Sequence, residues 1–240
     1  MRRLVILPTY NEVSNIAVIV PRIFKWIPDC EVLVVDDASP DGTATEVETM
    51  RLRNPRLHLL SRSKKSGLGS AYRAGFAWGL ERGFHELIEM DADLSHRVRD
   101  LAAMIAVMES DPGIDLVIGS RWISDGAIEN WSKGRELLSR SANRYVQFAL
   151  GLDVNDTTSG FRIYSAGLLQ RIEVDSIQSE GYAFQIEMTR AARRVGAKIV
   201  EVPITFRERD SGVSKMSKAI VLEAMRLVTF WGIQRTLRRK

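Results

Sequence analysis

Five short apolar runs rich in β-branched residues, at 3–7, 31–35, 56–60, 86–90 and 115–118, alternate with four segments of helical period at 14–26, 43–53, 68–82 and 100–109. Strands separated by helices of this length form βαβ units and therefore a parallel sheet. Ligands of such sheets bind beyond the carboxyl ends of the strands. Polar clusters fall at those ends: residues 8–12 after the first run, 36–43 after the second and 91–95 after the fourth. The second half reads as a long helix at 133–151 closed by a glycine, a helix at 184–195 and a strand at 198–206. Pro203 marks that strand as an edge or a bulge. A loop at 207–215 then leads into a helix from about 216 to 237. No repeat, low-complexity stretch or Pro/Gly-rich linker divides the chain. The expected organisation is one α/β domain over 1–215 and a C-terminal helix over 216–240.

Composition limits the function classes. With 240 residues, 45% hydrophobic and 27% charged, the chain has the make-up of one folded domain rather than a disordered segment. A net charge of +4 is far from a histone-like balance, so nucleic acid is not an expected partner, although smaller anions are. The single cysteine, Cys30, forms no intrachain disulfide, which suits a reducing cytosol. The first strand begins at once, leaving no room for a signal peptide. No run approaches the roughly 18 apolar residues that cross a bilayer.

Asp91-Ala92-Asp93 closes an apolar strand. Two carboxylates one residue apart on such a turn can share one hard divalent cation, Mg²⁺ or Mn²⁺, whose shell substrate phosphates complete. The alternative is a solvated turn that caps the next helix. Asp36 and Asp37 follow directly on residues 32–35, and a carboxylate there can accept hydrogen bonds from a ribose hydroxyl or a base edge. Asp41-Gly42-Thr43 supplies turn and cap chemistry. Lys64-Lys65-Ser66-Gly67-Leu68-Gly69 opens a helix with amides and lysines that suit phosphate, and a plain turn reads equally well. Arg121, Arg135, Arg162, Arg209 and Lys215 stand apart from any charge run and together suggest phosphates held from two directions. His96 reads as a loop hydrogen-bonder rather than a base.

These residues fall in a familiar order. Pro8-Thr9-Tyr10-Asn11-Glu12, Val35-Asp36-Asp37-Ala38-Ser39-Pro40-Asp41-Gly42-Thr43 and Gly67-Leu68-Gly69-Ser70-Ala71-Tyr72 are followed by Asp91-Ala92-Asp93-Leu94-Ser95-His96 and Gly119-Ser120-Arg121-Trp122. Asp156-Thr157-Thr158-Ser159-Gly160-Phe161-Arg162 and Gly212-Val213-Ser214-Lys215 complete the series. Over about residues 3–215 the chain resembles the dolichol-phosphate (polyprenol-phosphate) mannose synthases, inverting glycosyltransferases of family two with the Rossmann-like GT-A fold. It departs after His96, where Arg97-Val98-Arg99 replaces the prolines of many relatives. The membrane extensions of some relatives are absent, as in the soluble-catalytic-subunit type.

The resemblance implies transfer of mannose from GDP-mannose to a polyprenyl monophosphate, an α-linked donor giving a β-linked product. It assigns Pro8, Tyr10, Glu12, Val35 and Asp37 to the base and ribose. Asp91, Ala92 and Asp93 would hold the Mg²⁺ or Mn²⁺ and the diphosphate, with Ser95 a further metal ligand. Arg209 and Lys215 would close over the donor. Arg121, Arg135 and Ser139 would take the acceptor phosphate. It also implies a place at the cytoplasmic face of a membrane, with a membrane-anchoring partner or domain. On the C-terminal helix, Ile220, Ala224, Leu227, Val228 and Trp231 form an apolar stripe that lies either on a bilayer or on the protein's own core. Open alternatives are a polyprenyl-phosphate glucose or aminosugar synthase, a non-catalytic nucleotide-binding subunit and a nucleotidyltransferase. The last would carry a glycine-rich basic loop where this chain has Pro8-Thr9-Tyr10-Asn11-Glu12.

Overall fold

A computed structural model describes residues 1–208 and 218–237. Strands β1 (Arg3–Thr9), β2 (Cys30–Asp36), β3 (Leu57–Ser61) and β4 (Glu86–Glu89) alternate with helices α1 (Val13–Trp26), α2 (Thr43–Arg51) and α3 (Leu68–Glu81). Helix α4 (Val98–Ser110), strands β5 (Leu116–Ser120) and β6 (Ala127–Glu129) and helix α5 (Lys133–Leu150) follow. The chain continues through β7 (Arg162–Ser165), α6 (Ala166–Arg171), α7 (Gly181–Arg194), β8 (Ile199–Pro203), β9 (Thr205–Arg207) and α8 (Lys218–Leu237).

Seven strands form one sheet in the order β3-β2-β1-β4-β7-β5-β8. All neighbours run parallel except β7, which lies antiparallel between β4 and β5. The sheet is covered on both faces, as its near-continuous apolar strands require. Val5 and Leu7 of β1 pack towards α1 and α4, while Leu4 and Ile6 pack towards α3 and α7. Helix α3 sits close to the sheet because Gly75 and Gly79 carry no side chain. A methyl group at Gly75 would lie 2.6 Å from Ile6 Cγ2.

One expectation needs correction, and one open alternative is decided. The single strand expected over 198–206 is two strands. Its first part, β8, pairs with β5, and the chain turns at Ile204 so that β9 pairs with β6 in a separate two-stranded sheet. Pro203, with no N–H to donate, ends the first ladder there. Of the seats left open for the α8 stripe, its described part takes the protein's own core, and the Ile220 side chain lies outside the described residues. Ala224, Val228 and Trp231 are buried, and Val228 and Trp231 pack against Val146, Leu150 and Leu152 at the end of α5 and against Ile186 of α7. Phe230, Ile233 and Leu237 on the same helix are exposed, so α8 is apolar on more than one side rather than simply amphipathic.

Strand order reverses at β1, with β2 on one side and β4 on the other. The crevice beyond the carboxyl ends of β1 and β4 is therefore the topological switch point, where open α/β sheets bind ligands.

Candidate active site

The turn after β1 and the turn after β2 are laced together at this crevice. Asn11 N–H donates to Ser39 Oγ, Glu12 N–H to Thr43 Oγ1 and Val13 N–H to Asp41 Oδ2, at 3.0 to 3.1 Å. Burial pushes the Asp41 carboxyl up, but hydrogen bonds from the Thr43 hydroxyl and the amides of Val13 and Thr43 outweigh it and hold the group below its ordinary range. Asn11 takes a left-handed φ of 60°, which an asparagine tolerates well. Pro8 and Tyr10 are half-buried beside this lacing, and Glu12 accepts from Asn15 Nδ2 at 2.6 Å.

Both aspartates after β2 are committed to protein contacts. Asp36 accepts from Thr9 Oγ1 at 2.9 Å and from the Ser39 hydroxyl and amide. Asp37 meets Arg62 at 2.7 Å and accepts from the Ser66 amide at 3.1 Å, holding the loop before α3. Val35 is wholly buried in the core, so its side chain does not reach the crevice. The basic glycine loop carries Lys65, whose Nζ lies 4.0 Å above the Tyr10 ring. The amides of Gly69 and Ser70, at the α3 N-terminus, are taken by the Glu180 carboxylate at 2.7 and 3.0 Å. The anion at this helix end is thus the protein's own.

Asp91-Ala92-Asp93 turns off the end of β4. Ala92 is buried, whereas Asp91 and Asp93 are half-buried. Asp93 Oδ1 accepts from the Ser95 amide at 3.1 Å, and Leu94 between them takes a φ of 64°. The Ser95 hydroxyl is buried without a hydrogen-bond partner. Two carboxylates and an orphaned hydroxyl are hard oxygen donors of the kind Mg²⁺ and Mn²⁺ prefer. No group of three or more His, Cys, Asp or Glu side chains converges among the described residues, so substrate or water oxygens would complete the shell of a cation here. Beneath the turn, Glu89 is wholly buried and its carboxyl is pushed up to about 8 by burial, against the attraction of Arg162 and a hydrogen bond from Gln185.

A continuous series of ring contacts leads from these carboxylates to the arginines. His96 Nε2 lies 3.7 Å from Asp91 Oδ2, and its ring meets Phe206 edge-on at 5.2 Å. Phe206 meets Trp131 at 5.6 Å. The Arg121 guanidinium lies 5.4 Å from the Phe206 centroid and 5.7 Å from that of Trp131, and Arg135 lies 4.1 Å from Trp131. The three rings come from three segments, the turn after β4, β9 and the approach to α5, and the turn after β5 supplies Arg121. The small β6–β9 sheet brings them together.

Arg121 is buried and paired with Asp156 through Nε at 2.7 Å and Nη2 at 2.6 Å, with Thr158 Oγ1 at 2.9 Å. Burial raises the Asp156 carboxyl, yet the Arg121 charge and hydrogen bonds outweigh this and hold it below the ordinary carboxylate range. Asn143 of α5 accepts from the Thr157 amide and hydroxyl at 2.8 Å each, fixing α5 to the same loop. Arg135 pairs with Glu208, the last residue described before 209–217. Ser139 is half-buried one turn further along α5. Arg209 and Lys215 lie outside the described residues. The sequence reading missed the roles of Glu89, Asn143, Asp156, Glu180 and Glu208. Only Asp156 stood in a motif that drew attention. Arg162, expected to hold phosphate, is fully buried and donates instead to Ser159 O, Thr157 O, Gln185 O and Thr189 Oγ1.

A mostly parallel sheet with paired carboxylates at its switch point, and arginines across the crevice, is the arrangement of a GT-A glycosyltransferase. The chain belongs to glycosyl transferase family 2, whose family model matches residues 4–173. It is 47% identical over 239 residues to a polyprenol monophosphomannose synthase of Mycolicibacterium smegmatis, covering 99% of this chain and 89% of that protein. It is also 47% identical over 233 residues to an undecaprenyl-phosphate mannosyltransferase of Micrococcus luteus, covering 97% and 95%. Among solved structures, a mannosyltransferase of Pyrobaculum calidifontis in complex with GDP-Man and Mn²⁺ superposes with a TM-score of 0.62 at 18% identity. That match covers 99% of this chain and 64% of the other.

Proposed function

We propose that this enzyme transfers mannose from GDP-mannose to a polyprenyl monophosphate with inversion, giving a β-linked polyprenyl phosphate mannose. The observation that carries the reading is the unbroken path from Asp91 through His96, Phe206 and Trp131 to Arg121 and Arg135. One side of the crevice suits a metal-bound diphosphate and the other an anionic acceptor, and rings hold the two sides at a fixed separation. The printed names of the two 47% identical relatives support the acceptor class and the sugar, and the P. calidifontis complex supports the donor and a divalent metal.

In this reading Pro8, Tyr10 and Glu12 flank the base and ribose. Val35 contributes through its main chain, and Asp37 by holding the 62–66 loop against the site. Asp91 and Asp93, with Ser95, would hold Mg²⁺ or Mn²⁺, and Ala92 would contribute to the diphosphate site. When bound, such a cation would supply charge neutralisation for the departing nucleoside diphosphate. The resemblance assigns Arg209 and Lys215 to the donor as well. Arg121, Arg135 and Ser139 hold the acceptor phosphate. One of its oxygens attacks the anomeric carbon in line. A carbon–oxygen bond to the acceptor forms as the bond to the diphosphate breaks, and GDP leaves with the electron pair. The nucleophile is already anionic near neutral pH, so the site needs no strong base. The principal work is to bring two phosphate groups together against their repulsion. Such an acceptor places the enzyme at the cytoplasmic face of a membrane, where an anchoring partner or domain would hold it.

A donor screen by thermal unfolding tests this reading. A ligand present at 100 times its dissociation constant stabilises by about 2.7 kcal/mol, or about 5–11 °C for a domain of this size. GDP-mannose with Mg²⁺ or Mn²⁺ should give a shift of that order and exceed UDP-glucose. A larger shift with UDP-glucose would assign a different donor.

A further inference from the structure

Five side chains on the arginine side of the crevice form one row in which cations and indoles alternate. The Arg135 guanidinium lies 4.1 Å from the Trp131 ring centroid, and Arg121 lies 5.7 Å from the same ring. Arg121 also lies 5.6 Å from Trp122, and Arg140 lies 4.5 Å from Trp122. Phe206 meets Trp131 edge-on, which fixes the row against β9.

Each cation of the row already has a carboxylate. Arg121 is held by Asp156, Arg135 by Glu208 and Arg140 by Glu136. The indoles have no such answer. Nε1 of Trp122, Nε1 of Trp131 and Nε of Arg135 are buried with no hydrogen-bond partner among the described residues. Nine buried side-chain atoms are left in this way, and the other six are acceptors or groups that can both donate and accept. These three alone can only donate, and all three fall in the one row. A fold gains nothing from closing off a donor without an acceptor. Donors gathered in this manner suit a ligand that brings acceptor oxygens in several directions. An ionised phosphate monoester offers three such oxygens and no proton, whereas an alcohol offers one oxygen and carries a proton of its own.

We infer that Trp122 and Trp131 bind the acceptor phosphate directly, their indole N–H groups donating to its oxygens beside Arg135 Nε. The inference rests on the polyprenyl phosphate reading and adds two neutral donors to the cations assigned there. Neutral donors have an advantage at this place. Arg121 and Arg135 must share their charge with Asp156 and Glu208, while an indole N–H has no carboxylate to give up when the phosphate arrives.

The test compares the full chain with Trp122→Phe and Trp131→Phe, using GDP-mannose as donor and farnesyl monophosphate as acceptor. A phenyl ring removes the N–H but also some packing area. The same two positions are therefore also replaced, one at a time, by a benzothienyl analogue of tryptophan in which sulfur takes the place of the N–H. Each analogue should raise the acceptor KM about 10-fold, as expected for one hydrogen bond to an anion. Turnover at saturating acceptor and GDP-mannose affinity in calorimetry should stay near wild type. The analogues should melt no lower than the wild type, because no bond within the fold has been lost. An analogue with a wild-type acceptor KM would strike its indole from the site, and two would overturn the proposal. A raised KM accompanied by a lower melting temperature in the analogue would assign the N–H to a partner within the fold and overturn it equally. Binding of farnesyl monophosphate is read separately from tryptophan fluorescence, whose change each replacement should reduce. A wild type that shows this change but transfers no mannose would overturn the proposed reaction and leave the phosphate site standing.

Discussion

Asp156 is sealed from solvent and Arg121 nearly so, and each is satisfied chiefly by the other. Removing one partner of such a pair leaves an uncompensated buried charge, at a cost of about 3–5 kcal/mol. Asp156→Ala should lower unfolding stability in urea by that amount, and a loss under 1 kcal/mol would show that water reaches Arg121. The Asp156 carboxyl is held below its ordinary range, so its contribution is present above about pH 4 and fades as pH falls through the native value. Asp93 contrasts with it. It is half-buried and accepts from the Ser95 amide, so its loss is expected to cost the fold less than that of Asp156. Asp93→Asn should keep the melting temperature and lose turnover by orders of magnitude. Arg135→Ala removes one charge-assisted contact, about 1.5–3 kcal/mol, and should raise the acceptor KM about 10- to 100-fold with GDP-mannose affinity in calorimetry nearly unchanged. A collapse of donor affinity would move Arg135 to the other side of the crevice. Cys30 is wholly buried and its thiol is pushed up to about 12, chiefly by burial. Native protein at pH 8 should resist a disulfide-exchange reagent until it is unfolded. An acid whose ionisation the fold opposes also costs stability as pH rises from its unfolded value towards 12.

Among the elements, α3 shows how the sheet sets local rules. An alanine at an exposed helical glycine gains about 1 kcal/mol of propensity. At Gly75 the new methyl group would strike the stiff β-branched Ile6, an overpacking cost of about 1–3 kcal/mol. At Gly79 it would meet the mobile ends of Leu87 and Leu4, at 2.7 and 2.9 Å, which can swing aside. Gly75→Ala should therefore destabilise in urea relative to Gly79→Ala, and the reverse order would contradict this packing. The strands β1 to β5 and the helices between them were legible because each carries its own periodicity, and polar clusters close β1, β2 and β4. Strands β6, β7 and β9 span three or four residues each and have no readable period. They exist because a long-range partner supplies the pairing, β7 between β4 and β5 and β9 on β6. The same cause hid part of the site. Asp91 and Asp93 announce themselves by spacing, whereas Glu208 meets Arg135 and Glu180 meets the α3 amides only after the chain has folded across many residues. The α8 stripe was readable as apolar, but which surface it would face was not encoded in its own period.

For the whole molecule, the order of seven strands places one crevice at the switch between β1 and β4, and the small β6–β9 sheet closes its far side with aromatic rings and arginines. A donor bound at the carboxylates and a lipid-borne phosphate at the arginines would then meet where the two halves adjoin. The central claim is a transfer between those two ligands. It is tested most directly by incubating the protein with radiolabelled GDP-mannose, Mg²⁺ or Mn²⁺ and a polyprenyl phosphate, then extracting into organic solvent. Label should enter the organic phase only when metal and acceptor are both present, and excess chelator should abolish it. Label that stays in the aqueous phase with every polyprenyl phosphate, or that reaches the organic phase undiminished in excess chelator, would contradict the account.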